Sequence, residues 1–203
     1  MKTPPPAIRQ PQAHGSDISR SALTYTELGR IGSQLVFVEE RGPSNNRYDA
    51  GERIGIRNEA QVQPDRFVNV SGARAYMQAL GIVGVQPGVM LSSVRRYANN
   101  FQEANVSLAK GDYHSACGLV HNALIDAQDS GVLANGQALW RVLRTAREGL
   151  SGSLAHAEEE AAIRPLLQQR VQHLRGELMV CEQVMQEFRE VVGEPMDSRE
   201  PTP

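Results

Sequence analysis

The sequence lacks any long apolar run. No segment approaches the roughly 20 consecutive apolar residues that a transmembrane helix needs, and the N-terminus lacks the apolar stretch of a secretory signal peptide. We therefore expect no association with a membrane. The expected localisation is the cytoplasm, or outside the cell by an export route that uses no cleaved signal peptide.

Aromatic residues and cysteines are also scarce. Aromatic residues make up 5% of the 203 residues, and there are 2 cysteines, so the core has to be built mainly from Leu, Val, Ala and Met. Cys117 and Cys181 fall on apolar faces of expected helices, where free thiols of a reducing compartment are usually buried. A disulfide between them stays open as an alternative.

A strong excess of charge is missing as well. The net charge of −2, with Lys2 and Lys110 as the only lysines, gives no long-range attraction to nucleic acid or to an anionic membrane. The sequence has no glycine-rich phosphate loop followed by Lys and Ser or Thr, and no Gly-x-Ser-x-Gly motif. We therefore predict no catalytic residue and no cofactor, and neither nucleic acid nor a membrane as partner.

Composition divides the chain into four parts. Residues 1–21 are rich in proline and poor in acidic residues, which predicts a disordered tail. Residues 22–70 form a mixed segment with short strands, residues 71–192 form a helical domain, and residues 193–203 are a second disordered tail. The fold class that follows is mainly α, with a small β-element near residues 33–70.

The sequence of the mixed segment is compatible with either strands or a helix. Residues 35–38 read Leu-Val-Phe-Val, a β-prone run of strand length, and Ile54 and Ile56 alternate with other residues as in a strand. Helical spacing is also present, at Leu28, Ile31, Leu35 and Val38. Residues 42–46 have the composition of a loop.

Glycine-containing links separate the expected helices. We predict helices over about 71–80, 90–109, 112–129, 132–150 and 155–164, with Gly81, Gly111 and Gly131 in the links. Gly149, Ser151, Gly152 and Ser153 predict a break between the last two of these helices.

The most regular pattern is a long amphipathic helix over residues 165–192. It begins at Pro165, which the first turn of a helix tolerates, and Gly193 with Pro195 ends it. Its apolar positions recur in steps of four and three, which keeps them on one face. We call these eight positions the seam: Leu167, Val171, Leu174, Leu178, Cys181, Met185, Phe188 and Val192. The pattern predicts that the seam is covered, by this chain or by a partner.

Residues 101–128 combine small and apolar residues on two helices with a glycine turn: Ala104 and Leu108, then Gly111-Asp112-Tyr113, then Ala116, Val120, Ala123 and Leu124. With these residues the segment resembles a single tetratricopeptide repeat. It implies a helical hairpin scaffold of the kind that binds peptides and other proteins, with Tyr113 packing across the turn. The early aromatic is not at its usual place, although Phe101 lies nearby, no proline closes the second helix, and there is no second copy about 34 residues away.

Two clusters of polar side chains are candidates for chemistry. His114, Cys117 and His121 are of types that bind zinc, but the two histidines are about 10 Å apart along a helix. Arg141, Arg144 and Arg147 recur every three residues beside Trp140, which predicts a small basic face for an acidic partner or a solvated surface.

We expect a protein that binds other proteins through helical surfaces, as an adaptor, a chaperone or an assembly subunit, or that associates with itself through the long helix. Two alternatives stay open: a substrate, effector or regulator of a bacterial type III secretion system, and a metal-binding protein or enzyme. The predicted partner-binding residues are Leu167, Val171, Leu174, Leu178, Met185, Phe188, Val192, Arg141 and Arg144.

Overall fold

The computed structural model describes residues 23–58 and 70–193. In these residues the strands are β1 (Leu23–Ile31), β2 (Gln34–Arg41), β3 (Arg53–Asn58), β4 (Ile82–Val85) and β5 (Val132–Ala134). The helices are α1 (Val70–Ala79), α2 (Leu91–Ala109), α3 (Tyr113–Ser130), α4 (Gly136–Ile163) and α5 (Gln168–Val192). The described part of the chain is therefore mainly helical, as the sequence predicts, and it contains two small sheets, of which the sequence predicts the first. The predicted tail over residues 1–21, on which the secretion alternative depends, lies outside the described residues, as does the second tail beyond Gly193.

An antiparallel sheet in the order β1-β2-β3 forms the predicted β-element. It begins earlier than expected, because β1 occupies residues that could also be assigned to a helix. Gly32, with a φ of 58°, turns the chain from β1 into β2. Val36 and Val38 on the central strand are fully buried in the main core, so one face of this sheet packs on the helical domain, where β1 contacts α2.

One buried carboxylate, that of Glu40, holds the loop that follows β2. Glu40 is 1% exposed, and it accepts hydrogen bonds from the Ser44 hydroxyl at 2.8 Å, the Asn45 backbone N–H at 3.0 Å and the Thr26 hydroxyl. A buried carboxylate is stable only with such partners. The loop predicted over residues 42–46 is thus attached to the sheet by the side chain of Glu40.

The hairpin of α2 and α3 is the centre of the helical domain. Ala104, Ala116 and Ala123 are all 0% exposed, because small side chains let two helices approach closely. The Asp112 carboxylate accepts a hydrogen bond from the Ser115 backbone N–H at 3.2 Å, which begins α3. Hydrogen bonding to Ser115, first through its side chain and then through this N–H, lowers the pKa of Asp112. The helical hairpin implied by the resemblance is therefore present.

Two helix boundaries predicted from the sequence are wrong. Residues 132–134 are not the start of a helix but strand β5, which pairs antiparallel with β4, another strand that the pattern did not predict. The predicted break at residues 149–153 is also absent, because α4 runs unbroken to Ile163. Gly149 is needed for packing: a Cβ there would lie 2.3 Å from the ring of Tyr113. Tyr113 thus packs on α4.

The long C-terminal helix is confirmed with one change at its start. Pro165–Leu167 form a single turn of 3₁₀ helix, and α5 continues from Gln168 to Val192. Arg164 has a φ of −130° and a ψ of 89°, as expected for a residue before proline. Helices α4 and α5 therefore form a second hairpin. Its outer part has its own small core, made of Ala157, Ala161 and Val171.

Asn135 caps α4, and we expect its replacement to destabilise the protein. Its side-chain oxygen accepts a hydrogen bond from the Ala138 backbone N–H at 3.2 Å. We expect Asn135→Ala to lower the free energy of unfolding by about 1 kcal/mol, because a helix-terminal N–H loses its acceptor. Urea denaturation measures the loss. Asn135→Ser keeps an acceptor and should retain most of the stability; equal losses in the two variants would contradict the capping role.

Candidate partner-binding surface

The chain itself covers most of the seam of α5. Val171, Cys181, Met185 and Phe188 are at most 6% exposed, and α5 packs against α4 and α3. Leu167, Leu174 and Leu178 are half-buried against the same cores. Only Val192, at 45% exposed, lies open. The seam therefore holds the hairpin together, and a binding role for its buried members stays a prediction.

Val192 lines a shallow apolar groove of about 370 Å³ at the end of α5. Its exposed neighbours there are Val191, Val83 on β4 and Leu133 on β5. The sequence did not predict this groove, since it depends on the pairing of two strands that are too short to give a recognisable pattern.

A second groove, of about 620 Å³, runs between α4 and α5 on the surface of the hairpin, and we call it the Trp140 groove. Trp140, Arg144 and Arg147 line it from α4, since steps of four and three place them on one face. Met185, Gln186 and Arg189 line it from α5, with Glu148 and Glu182 at the same site. Of the predicted partner-binding residues, this brings together Arg144 and Met185. Arg141 is exposed on α4 and does not line the groove.

Trp140 is held in place from two sides. Its ring centroid lies 5.3 Å from that of Phe188, which is fully buried, with the two planes at 33°. The guanidinium carbon of Arg189 lies 5.0 Å from the centroid of the Trp140 ring, within the range of a cation–π interaction. The groove thus has a half-buried indole of fixed orientation.

Guanidinium groups outnumber carboxylates around the groove. Arg147 forms an ion pair with Glu182 at 3.1 Å, whereas the nearest approach of Arg144 to Glu148 is 3.9 Å. Among the described residues, neither Arg189 nor Arg141 forms an ion pair. The surface is therefore locally basic on a chain whose net charge is −2, and its guanidinium groups are able to bind a carboxylate.

The three candidate zinc ligands lie in different surroundings. His114 is exposed, the Nδ1 atom of His121 lies 2.9 Å from a carboxylate oxygen of Glu187, and Cys117 is 0% exposed in the core. A hydrogen bond with the Cys181 thiol, together with burial, raises the pKa of Cys117, so the thiol stays protonated. Within the described part of the chain, no three metal-binding side chains come together. The cysteines are free thiols.

Sequence reasoning identified the α4 side of the Trp140 groove, but on the α5 side it identified Met185 and missed Gln186 and Arg189. Arg189 and Gln186 lie on the polar face of an amphipathic helix, where solvent exposure is the usual expectation. In the sequence Arg189 directly follows Phe188, a seam residue. This places Arg189 at the groove only because Trp140 packs on Phe188, which the sequence does not show.

None of the helices within residues 70–193 combines the length and the apolar character needed to cross a bilayer. No protein-family model, curated protein or solved structure matches this chain.

Proposed function

We propose that this protein binds another protein through the outer surface of the α4–α5 hairpin, as an adaptor, chaperone or assembly subunit does. The observation that supports the proposal is the Trp140 groove, in which an indole of fixed orientation lies among arginines at the junction of two helices. Tryptophan and arginine are the residues most often found to dominate the energy of protein–protein interfaces.

The rigidity of the groove favours binding. Trp140 is supported by the buried ring of Phe188, and the two long helices on either side are joined by a short turn. A partner would then bind a surface that loses little conformational freedom, which lowers the entropic cost of association.

Selection from a random peptide display library on the full-length chain tests this proposal. We expect peptides that bind the native chain and that bind Trp140→Ala roughly thirtyfold more weakly, because loss of an interface tryptophan typically costs 2 kcal/mol or more. Thr145→Ala, at an exposed position of the same helix that does not line the groove, is the matched control and should bind as the native chain does.

Melting curves for each variant separate lost binding from lost folding. Arg189→Gln, which removes the cation above the indole from an exposed position, provides a second variant if Trp140→Ala unfolds. The proposal is wrong if no peptide is enriched, or if folded variants at both groove positions bind as well as Thr145→Ala.

A further inference from the structure

We infer that the partner segment taken up by the Trp140 groove is acidic, with aspartate or glutamate carboxylates placed against Arg189 and Arg144. This inference rests on the proposed function and names the chemical class of the partner. It is supported by the geometry of the two arginines, by the pairing of their neighbours, and by the contrast between this surface and the rest of the chain.

Arg189 has donors available beside the Trp140 ring. Its guanidinium carbon lies 5.0 Å from the centroid of the Trp140 ring. A guanidinium that contacts an aromatic face keeps the N–H groups along its edge available for a carboxylate, which they can bind through two parallel hydrogen bonds. Since no described carboxylate lies within ion-pair distance of Arg189, those N–H groups can bind a partner.

Arg144 is the second cation that a partner can engage. Its Nε atom is 3.9 Å from Glu148, and both side chains are more than half exposed to solvent, at 52% and 66%. An exposed pair at that distance contributes little, so a carboxylate from a partner can replace Glu148 at small cost. Trp140 and Arg144 are one helical turn apart, so one short segment can contact both.

The existing carboxylates of the groove favour a peptide over a polyanion such as nucleic acid. Glu182 already neutralises Arg147 at 3.1 Å, and Glu148 lies at the same site. A nucleic acid would bring a phosphate at every residue against these two carboxylates, whereas a peptide can place single carboxylates at Arg189 and Arg144 alone. The chain's net charge of −2 also opposes nucleic acid binding at long range.

The protein contains its own reporter for the test, because Trp140 is the only tryptophan in the chain. The probes are a synthetic peptide with several glutamates and the same peptide with glutamines in their place, each titrated into the full-length protein while Trp140 emission is recorded. We expect a saturable change with the glutamate peptide, binding roughly tenfold weaker with the glutamine peptide, and loss of affinity as salt rises.

Variants assign the effect to the groove. Arg144→Gln and Arg189→Gln should each weaken binding of the glutamate peptide about tenfold. The matched control is Arg170→Gln, at the other end of α5, where Arg170 lies 3.3 Å from Glu160; it should bind as the native chain does. Fluorescence anisotropy of a labelled peptide gives a second readout that does not depend on Trp140 emission.

Several results would overturn the inference: no saturable binding of the glutamate peptide at about 1 mM, equal affinity for the glutamine peptide, tighter binding of a single-stranded oligonucleotide, or groove variants that equal Arg170→Gln. Failure here is distinguishable from failure of the proposed function. If display selects peptides without carboxylates that still require Trp140, the protein binds partners and only the acidic class is wrong.

Discussion

Replacing Gly81 with alanine is expected to lower the free energy of unfolding by about 2–4 kcal/mol. Gly81 follows α1 with a φ of 75°, a conformation that an alanine side chain disfavours by about 1 kcal/mol or more. A Cβ at this position would also lie 2.7 Å from two ring atoms of Phe101, which is 6% exposed. Since Phe101 is enclosed by the main core, its ring cannot simply move aside.

Moving Gly81 instead of the ring is also costly. The carbonyl oxygen of Gly81 accepts hydrogen bonds from the Tyr97 hydroxyl at 2.5 Å and from the Asn135 backbone N–H at 2.7 Å. Tyr97 is fully buried, and this burial raises the pKa of its hydroxyl. A backbone shift that relieved the clash would leave a buried hydroxyl without its acceptor, which costs about 1–3 kcal/mol.

Gly111→Ala is the matched control for Gly81→Ala. Gly111 has a nearly identical φ of 76°, and nothing lies within 4 Å of a Cβ placed there. Urea denaturation of both variants therefore separates backbone strain from the contact with Phe101, and we expect Gly111→Ala to lose only the strain, about 1–2 kcal/mol. Equal losses in the two variants would show that the Phe101 ring moves aside freely.

The long helices could be predicted because their apolar residues recur over many turns. In α5 the seam has eight positions, and seven of them are buried or half-buried, so the pattern identified the buried face. The pattern could not show that α4 packs on that face. The unbroken length of α4 could not be recognised, because Gly149, Gly152 and two serines are typical of a helix break. A glycine at position 149 is typical of a helix end, but here it leaves room for the ring of Tyr113 to pack against α4.

The short strands could not be predicted for a different reason. Strand β5 has 3 residues and β4 has 4, which is too few for alternation to be distinguished from chance. They form because they pair with each other across about 50 residues of chain, an interaction between distant segments that no local pattern contains. The apolar groove at Val83, Leu133 and Val192 depends on this pairing and was missed with it.

Only half of the Trp140 groove could be predicted, for the same physical reason. Trp140, Arg144 and Arg147 share a face of one helix, and spacing alone places them together. Arg189 and Glu182 join them only because the seam of α5 docks on α4, which turns one polar edge of α5 toward Trp140. The Trp140 groove therefore depends on the packing of the seam, although most seam residues are themselves buried or half-buried.

Phe188→Ala tests that dependence. Phe188 is 0% exposed, packs 5.3 Å from the ring of Trp140, and lies close to Gly136, where its Cζ is 3.7 Å from the position of a Cβ. Truncating a buried phenylalanine leaves a cavity that well-packed neighbours cannot fill, and we expect a loss of about 3–5 kcal/mol in the free energy of unfolding. Chemical denaturation followed by circular dichroism measures it.

The matched control is Met179→Ala, on the same helix but 70% exposed, which should change stability by no more than about 0.5 kcal/mol. Phe188→Ala should also shift Trp140 emission to longer wavelength in the folded state, because the indole loses the ring beneath it and becomes more hydrated. Met179→Ala should leave the emission unchanged. If the two variants were equally stable and had the same emission, the seam would not determine the position of Trp140, and the groove would have to be held by α4 alone.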